Sequence, residues 1–83
     1  MVSKAVIEYL ERIKRLYLLI KQERTGTRRD LARKLVLSRA TVTNYISELK
    51  ALGADIRFDK FRNTYYFNNE FVLYATFEVK LSS

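Results

Sequence analysis

The chain has 83 residues, 48% hydrophobic and 13% aromatic, enough for one modest core and too apolar for a disordered tail. Cysteine and histidine are absent, which excludes disulfide and thiolate chemistry and leaves only carboxylates for a zinc site, a donor set zinc seldom uses. Lys and Arg number 16 against 9 Asp and Glu, a net charge of +7.

That excess is unevenly placed. Residues 1–53 hold 12 basic and 5 acidic side chains, whereas residues 54–83 hold 4 of each. The positive half coincides with the predicted helices, and such polarity favours a polyanionic partner. A basic balance also serves plain solubility. No apolar run reaches bilayer-spanning length. The N-terminus lacks a secretory pattern, because Met1–Ser3 leads into Lys4 and a charged amphipathic stretch. The expectation is a cytoplasmic protein without metal or cofactor.

The first helix is predicted over residues 3–24, with Ser3 as its cap. Val6, Leu10, Ile13, Tyr17 and Ile20 form one stripe, with Tyr9 and Leu16 alongside. Leu18 and Leu19 widen the apolar surface, to be covered either by a second chain or by later segments of the same one. Lys14, Arg15 and Lys21 lie off the stripe, as phosphate contacts or simply as solvated charges.

Thr25-Gly26 breaks this helix. Thr27-Arg28-Arg29-Asp30 has capping-box spacing, a hydroxyl followed three residues later by an acid. It starts a short helix, about 28–36, with Leu31, Ala32 and Leu35 inward. Val36-Leu37 makes a tight turn.

Ser38 then caps a third helix, 39–52, and Gly53 suits the left-handed position just past its end. Val42, Ile46, Leu49 and Leu52 recur at helical spacing, with Tyr45 beside them. The opposite side carries Ala40, Thr43, Asn44, Ser47 and Ala51, with Arg39 at its shoulder. These residues are small or hydrogen-bonding and none is acidic. Such a face can enter a major groove without clashing with bases or repelling phosphates. An ordinary surface helix is the plainer alternative, but those carry more Glu and Lys outside.

After Gly53 the period becomes alternating. Strands are predicted at about 55–58 and 64–67, with Ile56 and Phe58 on one side and Asp55 and Arg57 on the other. Asp59-Lys60-Phe61-Arg62-Asn63 forms a basic tip between them. Asn68-Asn69 signals a turn. An extended segment follows over about 71–81, with Phe71, Leu73, Ala75, Phe77, Val79 and Leu81 on one face. Asn69 capping a short helix through Ala75 is the alternative. Ser82-Ser83 should fray.

The fold class expected is thus α+β, three helices followed by a hairpin and a C-terminal strand, in one domain over residues 1–83. The wording of residues 12–67 carries a resemblance as well. R-I-K-R-L-Y-L-L-I-K, T-x-x-D-L-A-x-x-L-x-L-S-x-x-T-V, I-S-E-L-K-A-L-G-A-D-I and N-T-Y-Y-F together resemble bacterial winged helix-turn-helix regulators. The nearest groups are biotin-repressor-like domains and the domains that precede WYL-type ligand domains. The resemblance implies a bacterial or phage-like transcriptional regulator, nucleoid-associated, binding specific double-stranded DNA, commonly as a homodimer.

On that reading the helix opened by Ser38 lies in the major groove, and its exposed side comprises Arg39, Ala40, Thr43, Asn44 and Ser47. Arg39 would fork to a guanine edge or clamp a phosphate, and Asn44 would pair with adenine. Thr43 and Ser47 are able to bond to bases, water or backbone. Thr27, Arg28 and Arg29 would hold phosphates, and Lys60 and Arg62 would reach the adjacent groove or backbone. Each basic residue has the alternative of being solvated charge.

Three positions depart from the family pattern. Val36 stands where Gly is frequent, and a β-branched residue resists positive φ, so a different turn geometry is expected. Asn44-Tyr45 replaces a frequent Arg-Asp pair, so base preference does not carry over. Thr64 stands in place of a Gly. The chain also ends without a ligand-binding domain, as a minimal regulator or an excised domain, and no small-molecule effector can be inferred. A second functional reading is a protein-interaction or assembly module using Leu18, Leu19 and the edge of the C-terminal strand. Binding of a membrane surface by the first helix is a further possibility. Catalysis is not expected, because no nucleophile has an activating partner.

Overall fold

A computed structural model describes residues 3–73. Three helices come first, α1 (Lys4–Lys21), α2 (Arg28–Leu35) and α3 (Arg39–Ala51), followed by strands β1 (Ile56–Asp59) and β2 (Thr64–Phe67). The strands pair antiparallel, with Ile56 opposite Phe67 and Asp59 opposite Thr64. This is a winged helix-turn-helix, as the order of sequence patterns predicts.

Each helix begins on the hydroxyl its sequence offers. Ser3 Oγ accepts the Val6 N–H (3.3 Å) and Ser38 Oγ accepts the Thr41 N–H (3.1 Å). At α2 both halves of the capping box are present between Thr27 and Asp30.

The helix ends share a second device. The N–H of Arg24 reaches Leu19 O (3.0 Å), that of Leu37 reaches Ala32 O (2.9 Å) and that of Ala54 reaches Leu49 O (3.1 Å). Each such closure needs a left-handed residue just before the donor. Those residues are Glu23 (φ 55°), Val36 (φ 56°) and Gly53 (φ 111°). Only the last is the glycine the motif favours. The closure at Glu23 ends α1 at Lys21, ahead of the Thr25-Gly26 break expected to end it.

Val36 also corrects an expectation. It adopts φ 56° and ψ 47°, so the turn keeps its left-handed form despite the β-branched side chain. The bond from Leu37 to Ala32 and the packing of Leu37 on the core hold it there. Its side chain is left 86% exposed, and the backbone carries a strain of roughly 1–2 kcal/mol.

The core lies where the helices converge. Leu16 and Ile20 of α1, Leu31 of α2, and Val42 and Leu49 of α3 have no exposed surface. Leu16 therefore stands at the centre of the α1 stripe, whereas Val6 and Ile7 project beyond the core and are exposed. Leu52, expected in the α3 stripe, caps the helix and is 65% exposed. Leu19 packs against the core while Leu18 is exposed, so the described residues cover the extra apolar surface of α1 only in part.

The wing is joined to the helices by a buried polar staple. Thr25 and Thr64 are 0% and 2% exposed. Thr64 Oγ1 accepts the Thr25 N–H (3.2 Å), and Thr25 Oγ1 accepts the Tyr65 N–H (2.8 Å). The two hydroxyls lie 3.1 Å apart, with the Gly26 and Tyr65 carbonyls as further acceptors.

The first strand starts one residue later than expected. Asp55 stays outside the ladder, where its carboxylate meets Arg57 and Asn68. The predicted strand from residue 71 is absent over 71–73. Asn69 is occupied instead, accepting the Asp55 N–H (3.0 Å) and donating to Gly53 O (2.9 Å). The chain then turns toward α1, where Tyr17 donates to Phe71 O (3.3 Å) and stacks near Phe67 and Phe71. The remainder of that prediction, and the fraying of residues 82–83, lie outside the described residues.

Two outcomes test this account. Thr64→Val keeps the volume but strands the buried Thr25 N–H, and should lower unfolding free energy by about 1–3 kcal/mol in urea titrations. Val36→Gly should raise it by up to about 1 kcal/mol, since relief of strain outweighs glycine's greater chain entropy. An unchanged or lowered urea midpoint would refute the strain at residue 36.

Candidate nucleic-acid interface

The alternation of burial along α3 separates a folding side from a free side. Val42, Tyr45, Ile46 and Leu49 are buried, whereas Arg39, Ala40, Thr43, Asn44 and Ser47 are all exposed. Every outward position named from the sequence therefore opens to solvent on one helix. The single acidic residue of α3, Glu48, is hydrogen-bonded by the phenol of Tyr9. That bond pushes the Tyr9 pKa up to about 12, with desolvation and the negative charge of Glu48 adding to it. Tyr9 also meets Tyr45 edge-on at 5.3 Å. The α1–α3 crossing thus engages the one carboxylate of α3.

Thr43 is tied more closely than its sequence suggests. Its hydroxyl donates to Arg39 O (3.0 Å) and accepts from Arg28 Nη1 (3.2 Å). The donor of Thr43 is spent on its own helix, and the start of α2 is joined to the outer side of α3. Arg29 lies exposed beside Arg28. Ser38, also exposed, places its hydroxyl 2.8 Å from that of Thr41 while capping α3.

Thr27 is occupied by capping. Its N–H donates to Asp30 Oδ2 (2.9 Å), and its hydroxyl both donates to that oxygen (2.9 Å) and accepts the Asp30 N–H (3.2 Å). The carboxylate of Asp30 therefore sits over the first turn of α2, and the cations there are Arg28 and Arg29. Gly26 makes the arrangement possible. A Cβ at this left-handed position would come within 2.6 Å of the Asp30 carboxylate.

At the wing tip, Lys60 is exposed but Arg62 is committed within the chain. Arg62 bridges Asp59 (2.8 Å) and Glu23 (2.9 Å) and lies over the Tyr66 ring at 5.6 Å. Phe61, between them, is 101% exposed. Sequence reasoning passed over Phe61, although it is the sole apolar residue in the charged stretch 59–63. The roles of Tyr9 and Glu48 were not legible either, because they lie 39 residues apart.

Residues 5–66 match a family described as HTH domain, spanning most of the chain and all five elements except the first residue of α1 and the last of β2. The chain belongs to the HTH domain family. The HTH domain is a DNA-binding, non-catalytic unit, which agrees with the exposed, small and hydrogen-bonding side chains of α3. No curated protein and no solved structure matches the chain significantly. Among the described residues, no helix of this HTH domain is long and apolar enough to cross a membrane, and no three acidic side chains cluster as a metal site.

The capping box makes a pH prediction. The N–H and hydroxyl of Thr27 hold the Asp30 carboxyl below its usual range. A carboxyl of depressed folded pKa contributes stability that is present above its unfolded value and is lost as pH falls through the folded value. Urea midpoints of the parent should therefore drop below about pH 4 more steeply than those of Asp30→Asn. Asp55 and Asp59, also held low by their partners, are common to both proteins and cancel in the comparison.

Proposed function

We propose that this chain is a sequence-specific binder of duplex DNA, a small transcriptional regulator of bacterial or phage type that lays α3 in the major groove. The observation that carries this reading is the outer side of α3. It is exposed, built of small and hydrogen-bonding residues, and linked to an arginine of α2. Arg39 forks to a guanine edge or clamps a phosphate, and Asn44 pairs with adenine. Thr43, its donor turned back to the helix, offers its methyl group, and with Ala40 suits a thymine methyl. Ser47 bonds to a base, a water or the backbone. Arg28 and Arg29 hold phosphates at the start of α2, with Thr27 and Ser38 fixing the two helix starts that present them. Lys60 carries the wing's contact, with Arg62 behind it as a brace.

The reading takes residues 1–83 as one nucleoid-associated domain, related to biotin-repressor-like domains or those preceding WYL-type ligand domains. It includes a homodimer, for which the exposed Val6, Ile7 and Leu18 of α1 provide apolar surface. That same surface is what a protein-interaction module would use. Enrichment of random duplexes on the purified protein separates the two. A palindromic consensus supports a regulator acting as a dimer, and no enrichment supports the interaction module.

Affinity for the enriched duplex should fall with salt at a log–log slope of about −0.9 per phosphate contacted. Asn44→Ala should relax sequence preference by roughly 1–3 kcal/mol at one base pair. Arg29→Ala should instead weaken all duplexes alike and flatten the salt slope. A salt-independent affinity, or identical behaviour of the two variants, would contradict the division of roles.

A further inference from the structure

Phe61 stands alone among the large apolar side chains of the described residues in being wholly uncovered, at 101% exposure. A flexible loop would let such a ring fold back. This tip is instead held on several sides. Asp59 Oδ1 accepts the N–H groups of Phe61 (2.9 Å) and Arg62 (3.2 Å), an Asx turn that sets the backbone at the apex. Asn63 closes the loop in the left-handed conformation, φ 55°, which asparagine tolerates. Arg62 then ties the tip to Glu23, just beyond α1, and covers Tyr66. Behind it, Phe58 and Tyr65 meet edge-on at 5.0 Å across the ladder. The hairpin is therefore packed on the helices along β2 and presents one wholly exposed aromatic ring at its tip, with the exposed Lys60 beside it.

We infer that Phe61 is a wedge that enters the minor groove of duplex DNA and partly unstacks a base step, while Lys60 contacts the adjoining phosphate. The inference rests on the DNA reading above and adds a residue and a mode of action to it. Apolar side chains inserted between base steps from the minor groove kink the duplex and increase the surface it shares with the protein. Three features favour this occupant. The ring is single and stands in the exposed tip, residues 60–63, whose backbone is fixed by Asp59 and whose Arg62 is held by Glu23. Its neighbour in chain is a cation, and the flanking carboxylates of Asp59 and Glu23 are both paired with Arg62, so that with Lys60 the tip carries no net negative charge. A membrane surface would call for a broad apolar face edged by several cations, and the tip has neither.

The test uses duplexes that carry 2-aminopurine, whose fluorescence rises on unstacking, together with a dye pair at their ends that reports bending. The sequence is the one enriched on the parent protein, or a mixed A·T-rich duplex if enrichment is weak. Parent protein should raise the 2-aminopurine signal and shorten the end-to-end distance. Phe61→Ala should bind about tenfold more weakly, as expected for loss of one stacking contact, and abolish both signals. Phe61→Trp should retain them. Lys60→Ala should weaken binding and flatten the salt slope but keep the fluorescence rise. Because Phe61 packs on nothing in the described residues, thermal melting of Phe61→Ala should match the parent and exclude misfolding.

If the parent binds duplex and Phe61→Ala binds and unstacks it equally, the wedge is refuted and the DNA reading stands. If the parent binds no duplex at all, that reading fails and the wedge with it. If Phe61→Ala loses binding to phosphatidylglycerol vesicles while its duplex binding is unchanged, the ring belongs to a membrane contact and the inference is overturned.

Discussion

Two threonine hydroxyls decide how this molecule is put together. Thr25 lies in the link between α1 and α2, and Thr64 is the first residue of β2. Each accepts a backbone N–H from the other's segment, and both side chains are buried. Buried amides that lose such partners carry the full cost of their desolvation. The wing is only two short strands and is marginal alone. Its position relative to the helices is therefore set by this pairing, together with the contact of Tyr17 with Phe67 and the bridge from Arg62 to Glu23. Those ties converge on the end of α1 and the link after it, so the wing is anchored at its base and along one side.

The same link organises the helix-turn-helix. Gly26 leaves room for the Asp30 carboxylate, which completes the capping box with Thr27 and starts α2. Arg28, one residue on, reaches across to Thr43 on α3. Lys34, at the other end of α2, donates to Arg24 O (2.6 Å). Five consecutive residues after α1, from Arg24 to Arg28, thus touch the wing, α2 and α3. A small core gains definition from such polar ties, because apolar packing alone specifies neither angle nor register.

Much of this was legible in the sequence, for identifiable reasons. Ser3, Thr27 and Ser38 announce helix starts because a cap acts within three residues of itself. The stripe of Val42, Ile46 and Leu49 announces a buried face because helical period is local. The helix ends were less legible. Left-handed closures are read from glycine, and here two of three rest on Glu23 and Val36, which the tertiary contacts of Arg24 and Leu37 hold in place. The candidate site divided along the same line. Exposure of Arg39, Ala40, Thr43, Asn44 and Ser47 follows from period alone. The engagement of Thr43 by Arg28, of Arg62 by Glu23, and of Glu48 by Tyr9 depends on chain crossings that no local pattern encodes. Phe61 was overlooked because its stretch reads as a charged tip, and whether one aromatic there folds back or stays bare depends on the packing around it.

The segregation of α3 into a buried side and a bare one has an evolutionary consequence. Positions 39, 40, 44 and 47 are exposed and bear little of the energy of folding, so they can drift without loss of the native state. Positions 42, 45, 46 and 49 cannot. Lineages descended from such a chain are free to vary that surface repeatedly on an unaltered scaffold, and they should diverge there before they diverge in the core.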